Sequence, residues 1–369
     1  MKSESVTTDI RSIAVDLTWI DMLKGVAIIG VFLDNWTGYM RFATTPALLC
    51  FLAKSFAIAV GPFVQVFFIL SGFGLTVAYL NGRTNWSWKR WGWRRITKVV
   101  VPYAIAVVFS FTLGILGSYL YPSIDLQFSW TSLLVHLTFT RNFCPASWGW
   151  NGPLWFMPVI IGLYISFPVL IKILEKRGIW VLLLISAFVT YGTITIAVLG
   201  GVYRGHQSDL FSFWMLQFSL GMVLAYVRRS RPQELCNLIG FKAFFLGVGL
   251  FAFSWGLRTY LPMARAYNDV FTSIGIFLIL LNLCWTGRSK APATGDVLCA
   301  LSSKSYLMYL VHYPIMAFLI GPPLRVPTNA MIVIALGCIY VVGIFYLSCL
   351  ISRPMDTLTS WLYHRYRLD

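Results

Sequence analysis

Charge is what this chain has least of. Only 11% of its 369 residues are Asp, Glu, Lys or Arg, against roughly 25% in a soluble globular domain, so a water-soluble globular fold is excluded. Acid is scarcer still: 13 acidic residues stand against 29 basic ones, for a formal net charge of +16. The seven cysteines, Cys50, Cys144, Cys236, Cys284, Cys299, Cys338 and Cys349, show no CxxC or metal spacing. That excludes a zinc ribbon or a redox dithiol; most fall in or near apolar runs and read as small packing residues. Cys50 and Cys144 share a side on which an oxidising compartment would permit a bridge, but packing is the favoured reading. No internal repeat and no low-complexity tract stands out, and no linker is long enough to divide the chain, so one domain is expected. No separate signal peptide is expected either: Met1 to Thr18 is polar and mixed in charge, and the first apolar helix would itself direct insertion.

What the chain has is apolar length. Hydrophobic residues make up 58% of it, and its mean hydropathy is +0.74. Taking about 20 residues per span, the apolar runs predict ten, near 20–36, 55–80, 99–121, 153–174, 179–199, 210–227, 241–260, 270–285, 298–320 and 330–351. Helices 1 and 9 are the least clean. The expected class is all-α, a polytopic helical membrane bundle, with a tail over 1–19, a membrane domain over 20–351 and a tail over 352–369. Basic residues set the orientation. With the N-terminus inside, most Lys and Arg fall in inner segments, and the outer ones hold only Arg41, Lys54, Arg141, Arg204, Arg258, Arg265 and Arg325. Both termini are therefore expected in the cytoplasm. Basic loops against anionic headgroups account for the net charge without nucleic acid.

The first span carries the clearest functional signal, because an ionisable group at membrane depth is costly and marks a site. Asp21 and Lys24 stand at one end of it, and Asp34 and Asn35 at the other. Eleven residues make about three helical turns and a rise of roughly 16 Å, so Lys24, Ile28, Val31 and Asn35 share a face, with Asp34 about 80° around.

Four further segments stand out. In helix 2, Ser71, Gly72 and Gly74 would let a neighbouring helix approach closely. The inner stretch Arg83 to Lys98 interleaves six cations with four tryptophans. Arg90, Arg94, Arg95 and Lys98 suit phosphates and the indoles suit a stacked base, as in coenzyme A, although an interfacial Trp/Arg belt has the same composition. The outer stretch 130–155 holds His136, Arg141, Trp148, Trp150, Asn151 and Trp155, a set that suits a carbohydrate; an exposed His136 would titrate near neutrality. Last, His312 lies in an apolar run just before Tyr313 and Pro314, where an imidazole needs a partner; a satisfied structural histidine is the favoured reading there, and a catalytic one the alternative.

Taken in order, these segments resemble the acyltransferase type 3 superfamily of integral membrane acyltransferases. Phe67-Phe68-Ile69-Leu70-Ser71-Gly72 matches that family's helix 2 motif. Ser305-Tyr306, Tyr309-Leu310, His312 and Pro314 match its late motif, and the resemblance runs over about 20–350. It implies transfer of an acyl group, acetyl first of all, from cytoplasmic acyl-CoA to a hydroxyl of an extracytoplasmic glycan or lipid-linked saccharide in a bacterial plasma membrane. Acyl-CoA would be a co-substrate rather than a bound cofactor, with Ser71 beside its path and membrane lipid as the further partner. There are departures. Lys24 replaces an arginine, Asn35 stands where the family has a catalytic histidine, Arg95–Lys98 is a weakened Arg-x-x-Arg, and Ile160 and Ile161 replace frequent glutamates. Asparagine cannot accept the acceptor's proton, so a base would have to come from Asp34 or, second, His136. The alternative is a relative without catalysis, a transporter or sensor on the same scaffold. An unrelated transporter would be expected to show inverted repeats, and none are visible.

Overall fold

The computed structural model describes residues 17–40, 60–120, 129–147, 151–203, 205–206, 209–261, 267–319 and 330–365. Among them there is no strand. Each of the ten expected spans is a helix: α1 Thr18–Met40, α2 Phe63–Asn81, α4 Val101–Leu120, α6 Phe156–Arg177, α7 Ile179–Leu199, α8 Met215–Ser230, α9 Phe241–Tyr260, α10 Asp269–Lys290, α11 Pro292–Leu319 and α12 Ala330–Arg365. Among the described residues, eight helices are long and apolar enough to cross a membrane. The two that fall short are α1 and α11, the first with Asp21, Lys24 and Asp34 and the second with Lys304 and His312. They are also the two in which the apolar pattern is interrupted.

Two further helices, of eight residues each, are α3 Trp88–Arg95 and α5 Trp130–Leu137. The stretch 83–98 is thus largely helical. Ser87 caps α3, its side chain accepting from the Arg90 amide at 3.3 Å. A π-turn over Ile96–Val100 then joins α3 to α4. At the other end of the chain α12 continues helical to Arg365, well past the expected span.

The chain folds into two compact units. The first comprises Met1–Ile28, Pro62–Gly82 and Val159–Ser303. Its tightest seam joins α2 to α8, where glycines let two backbones meet. A Cβ on Gly72 would collide with the Phe218 carbonyl oxygen, and one on Gly221 with that of Ile69. Gly74 meets nothing within 4 Å, so of the two glycines only Gly72 serves that approach. A buried polar network ties α2, α9 and α10 together. Gln65 Nε2 donates to Asp269 at 2.8 Å, Ser273 Oγ donates to Gln65 Oε1 at 2.9 Å, and Arg258 pairs with Asp269. Such a group is tolerated at helix ends because each member has a polar partner within it.

The second unit comprises Ile29–Gly61, Arg83–Pro158 and Lys304–Asp369. Here α5 runs back along α4. Trp130 lies against Phe111, with ring centroids 5.1 Å apart, and six residues on the His136 carbonyl accepts from Tyr103 Oη at 2.9 Å. The segment after α5 is therefore carried to the first turn of α4.

Candidate functional site

The chemistry-bearing residues of the second unit converge where α5 ends. Three tight 3-10 turns follow it, Arg141–Phe143, Pro145–Ser147 and Gly152–Trp155. They fold the side chain of Arg141 entirely out of solvent, at 0% exposure. Its Nη1 donates to Asn142 Oδ1 at 3.1 Å, and Asn142 Nδ2 donates to the Trp155 carbonyl at 3.0 Å. Burial lowers the Arg141 pKa to about 10, with the phenols of Tyr103 and Tyr309 opposing the fall. The guanidinium therefore stays charged at neutral pH, a fixed cation flanked by two phenols. His136 is equally buried, and its Nδ1 donates to the Ser132 carbonyl at 2.6 Å. Burial first, and the Arg141 charge as well, bring its pKa to about 3 against the raising effect of Ser132. At neutral pH it is an uncharged ring and a poor proton acceptor.

Helix α11 supplies the facing wall. Tyr309 Oη donates to the Pro153 carbonyl and its ring lies 5.5 Å from that of Phe156. Tyr306 Oη donates to the Val99 carbonyl at 2.6 Å. His312, one turn on, is fully buried, and its Nδ1 donates to the Tyr309 carbonyl at 2.7 Å. Its ring packs 4.9 Å from Phe32 of α1, and Tyr340 of α12 donates to its carbonyl oxygen. Trp36 stacks on Tyr340 at 5.5 Å.

The expected site residues divide accordingly. Arg141, His136, Asn151 and Trp155 are buried in or beside this cluster with His312, and Asn151 Nδ2 reaches Ser110 Oγ at 3.4 Å. Asn35 is half-buried, and its Nδ2 donates back to the Val31 carbonyl at 2.8 Å. Since Phe32 faces His312, Asp34, two residues on, lies about 200° around the helix and faces away from it. Lys24 pairs with Asp21 at 3.3 Å, and Asp21 also accepts from Ser302 Oγ at 3.2 Å. Ser71 is half-buried in α2 of the first unit. Trp148, Trp150 and Cys50 lie outside the described residues.

The cations of α3 form a separate, exposed group. Arg90, Arg94 and, in the π-turn that follows, Lys98 are exposed, and Arg95 is half-buried. Arg94 Nε donates to Tyr363 Oη at 3.2 Å, with its guanidinium carbon 5.7 Å from that ring's centre. Lys98 and Tyr103 are five residues apart along the π-turn and α4, a rise of about 7 Å. The exposed cations and the buried cluster thus adjoin.

Sequence reasoning missed Tyr103 and Tyr309 as site residues. Tyr309 stands in the late tyrosine motif and Tyr103 follows Pro102 at the start of the third span, and those positions were the available signal. The polar network of the first unit went unseen, because Gln65 and Asp269 are 204 residues apart and no local pattern links them.

No curated protein and no solved structure matches the chain. The family model of the acyltransferase domain, acyltransferase type 3, matches residues 17–353, from the start of α1 through the last expected span in α12. The chain belongs to this family, and it is a multi-pass membrane acyltransferase.

Proposed function

We propose that the protein takes an acyl group, acetyl in the first instance, from acyl-CoA on the α3 side of the membrane. It places that group on a hydroxyl of an extracytoplasmic glycan or lipid-linked saccharide. The observation that carries this reading is the adjacency of a Trp/Arg helix with exposed cations to a buried cluster around Arg141 within one unit. A coenzyme A headgroup is anionic and aromatic, which suits Arg90, Arg94, Arg95 and Lys98 among the tryptophans. The reacting thioester needs a dry site with a fixed positive charge to hold the oxygen that becomes negative. Arg141 between Tyr103 and Tyr309 has that chemistry. Asn151 and Trp155 would hold the sugar, an amide for its hydroxyls and an indole for its apolar face.

The orientation comes from the basic residues and is tested by labelling. In a cysteine-free background, an impermeant thiol reagent applied to intact cells should reach Val202→Cys between α7 and α8. It should reach Ser87→Cys, at the cap of α3, only after permeabilisation. The reverse pattern would put the α3 cations outside and remove acyl-CoA from the account.

The donor side is tested on α3 itself. A charge-assisted contact to a phosphate contributes about 1.5–3 kcal/mol, so Arg95→Ala should weaken acetyl-CoA binding roughly tenfold or more. Equilibrium binding to the purified protein in detergent reads this directly. Unchanged affinity in Arg90→Ala, Arg94→Ala, Arg95→Ala and Lys98→Ala alike would reduce α3 to a membrane-surface anchor.

A further inference from the structure

Asn35 cannot itself accept the proton released in an acyl transfer, and the structure offers an acceptor on α11. A carbonyl oxygen can only accept, so the 2.7 Å contact to Tyr309 requires the proton of His312 to sit on Nδ1. Nε2 then carries the lone pair. That atom is buried and has no hydrogen-bond partner among the described residues, while the residue as a whole is 0% exposed. Buried polar atoms are nearly all paired, and one that is not needs a reason. Phe32 fixes the ring from one side at 4.9 Å, and Tyr340 fixes the backbone beneath it. Asn35 lies one turn from Phe32 on the same helix, so His312 reaches the neighbourhood that Asn35 cannot serve. Asp34 faces the other way, and His136, besides the burial it shares with His312, has the Arg141 charge against its taking a proton.

We propose that Nε2 of His312 is the general base of this enzyme, an assignment that rests on the acyl-transfer reading above. The acceptor hydroxyl gives its proton to Nε2 as its oxygen bonds to the thioester carbonyl carbon. Collapse of the tetrahedral intermediate breaks the carbon–sulfur bond, and the departing thiolate takes the proton back from the imidazolium. Atoms and charge balance with acyl-CoA and a hydroxyl as the only reactants.

The variant His312→Asn tests it, because an asparagine amide can keep the donation to Tyr309 while the Nε2 lone pair is lost. Loss of a general base costs about 10²–10⁴ in rate, and that fall is expected in purified, monodisperse protein given labelled acetyl-CoA and a saccharide acceptor. Adding Asn35→His to the same chain should recover part of the rate by returning a base to α1. Full activity in His312→Asn, or no recovery in the double variant, would overturn the assignment. A second measurement uses the wild type alone and so does not depend on the variants folding. Its ¹⁵N-histidine spectrum should show one imidazole protonated on Nδ1 and bare on Nε2, which titrates along with the acid limb of the pH–rate profile. A proton on Nε2 at the pH of full activity would overturn it. Wild-type protein that moves no label at all would bring down the functional reading itself, and the assignment with it.

Discussion

Arg141→Met should lower the rate of acyl transfer by about 10²–10³ and leave the protein folded. Removing one preorganised group that holds a developing negative charge costs on that order. Met matches the length of the arginine stem, so the space at this fully buried position stays filled. The charge is present to be lost, since burial brings the pKa only to about 10. Arg141→Lys should recover part of the rate, because an ammonium keeps the charge but not the planar fork. Initial rates with labelled acetyl-CoA, beside elution of the solubilised protein on a sizing column, check both outcomes. Wild-type rates in Arg141→Met would make the cluster a packing device. An unfolded variant with an intact lysine variant would show that the charge holds the 3-10 turns together instead.

The second large effect concerns the fold. Gly72→Val and Gly221→Val should each drive α2 and α8 apart, because the new side chain would occupy the place of a backbone carbonyl. Overpacking of a tight interior costs about 1–3 kcal/mol, and here the obstacle is backbone that cannot turn aside. Thermal melting of the detergent-solubilised protein should fall by several degrees or give way to aggregation. Gly74→Val, whose site is open, should melt like the wild type. Equal melting of all three would mean that the α2–α8 seam is loose enough to admit a side chain.

Much of this architecture was legible because membrane spans are written locally. Twenty apolar residues in a row announce a helix whatever the rest of the chain does, and the two weakest predictions, α1 and α11, are interrupted by Asp21, Lys24 and Asp34 in the first and by Lys304 and His312 in the second. The family motifs placed Asn35, Arg95, Lys98 and His312 on the right elements. What could not be read was the partner of each group. An eight-residue helix such as α5 gives too little periodicity to show its path, so nothing in 130–155 announced that it folds back along α4. Arg141 and His136 therefore read as surface groups of an outer loop, whereas the structure buries both. The direction in which Asp34 faces also depends on a contact between Phe32 and His312, which stand near opposite ends of the chain. For the same reason His312 looked like a satisfied structural histidine: one of its nitrogens is satisfied, and the sequence could not show that the other is not.

The central claim is that one chain carries an acyl group from a donor on the α3 side to a hydroxyl on the other side. Proteoliposomes with the protein in a single orientation, set by protection of Ser87→Cys, allow it to be tested. With labelled acetyl-CoA on the α3 side and a saccharide acceptor enclosed on the opposite side, label should accumulate on the saccharide and in its base-labile ester fraction. No label on the acceptor, or equal labelling when donor and acceptor share the side opposite α3, would contradict the account.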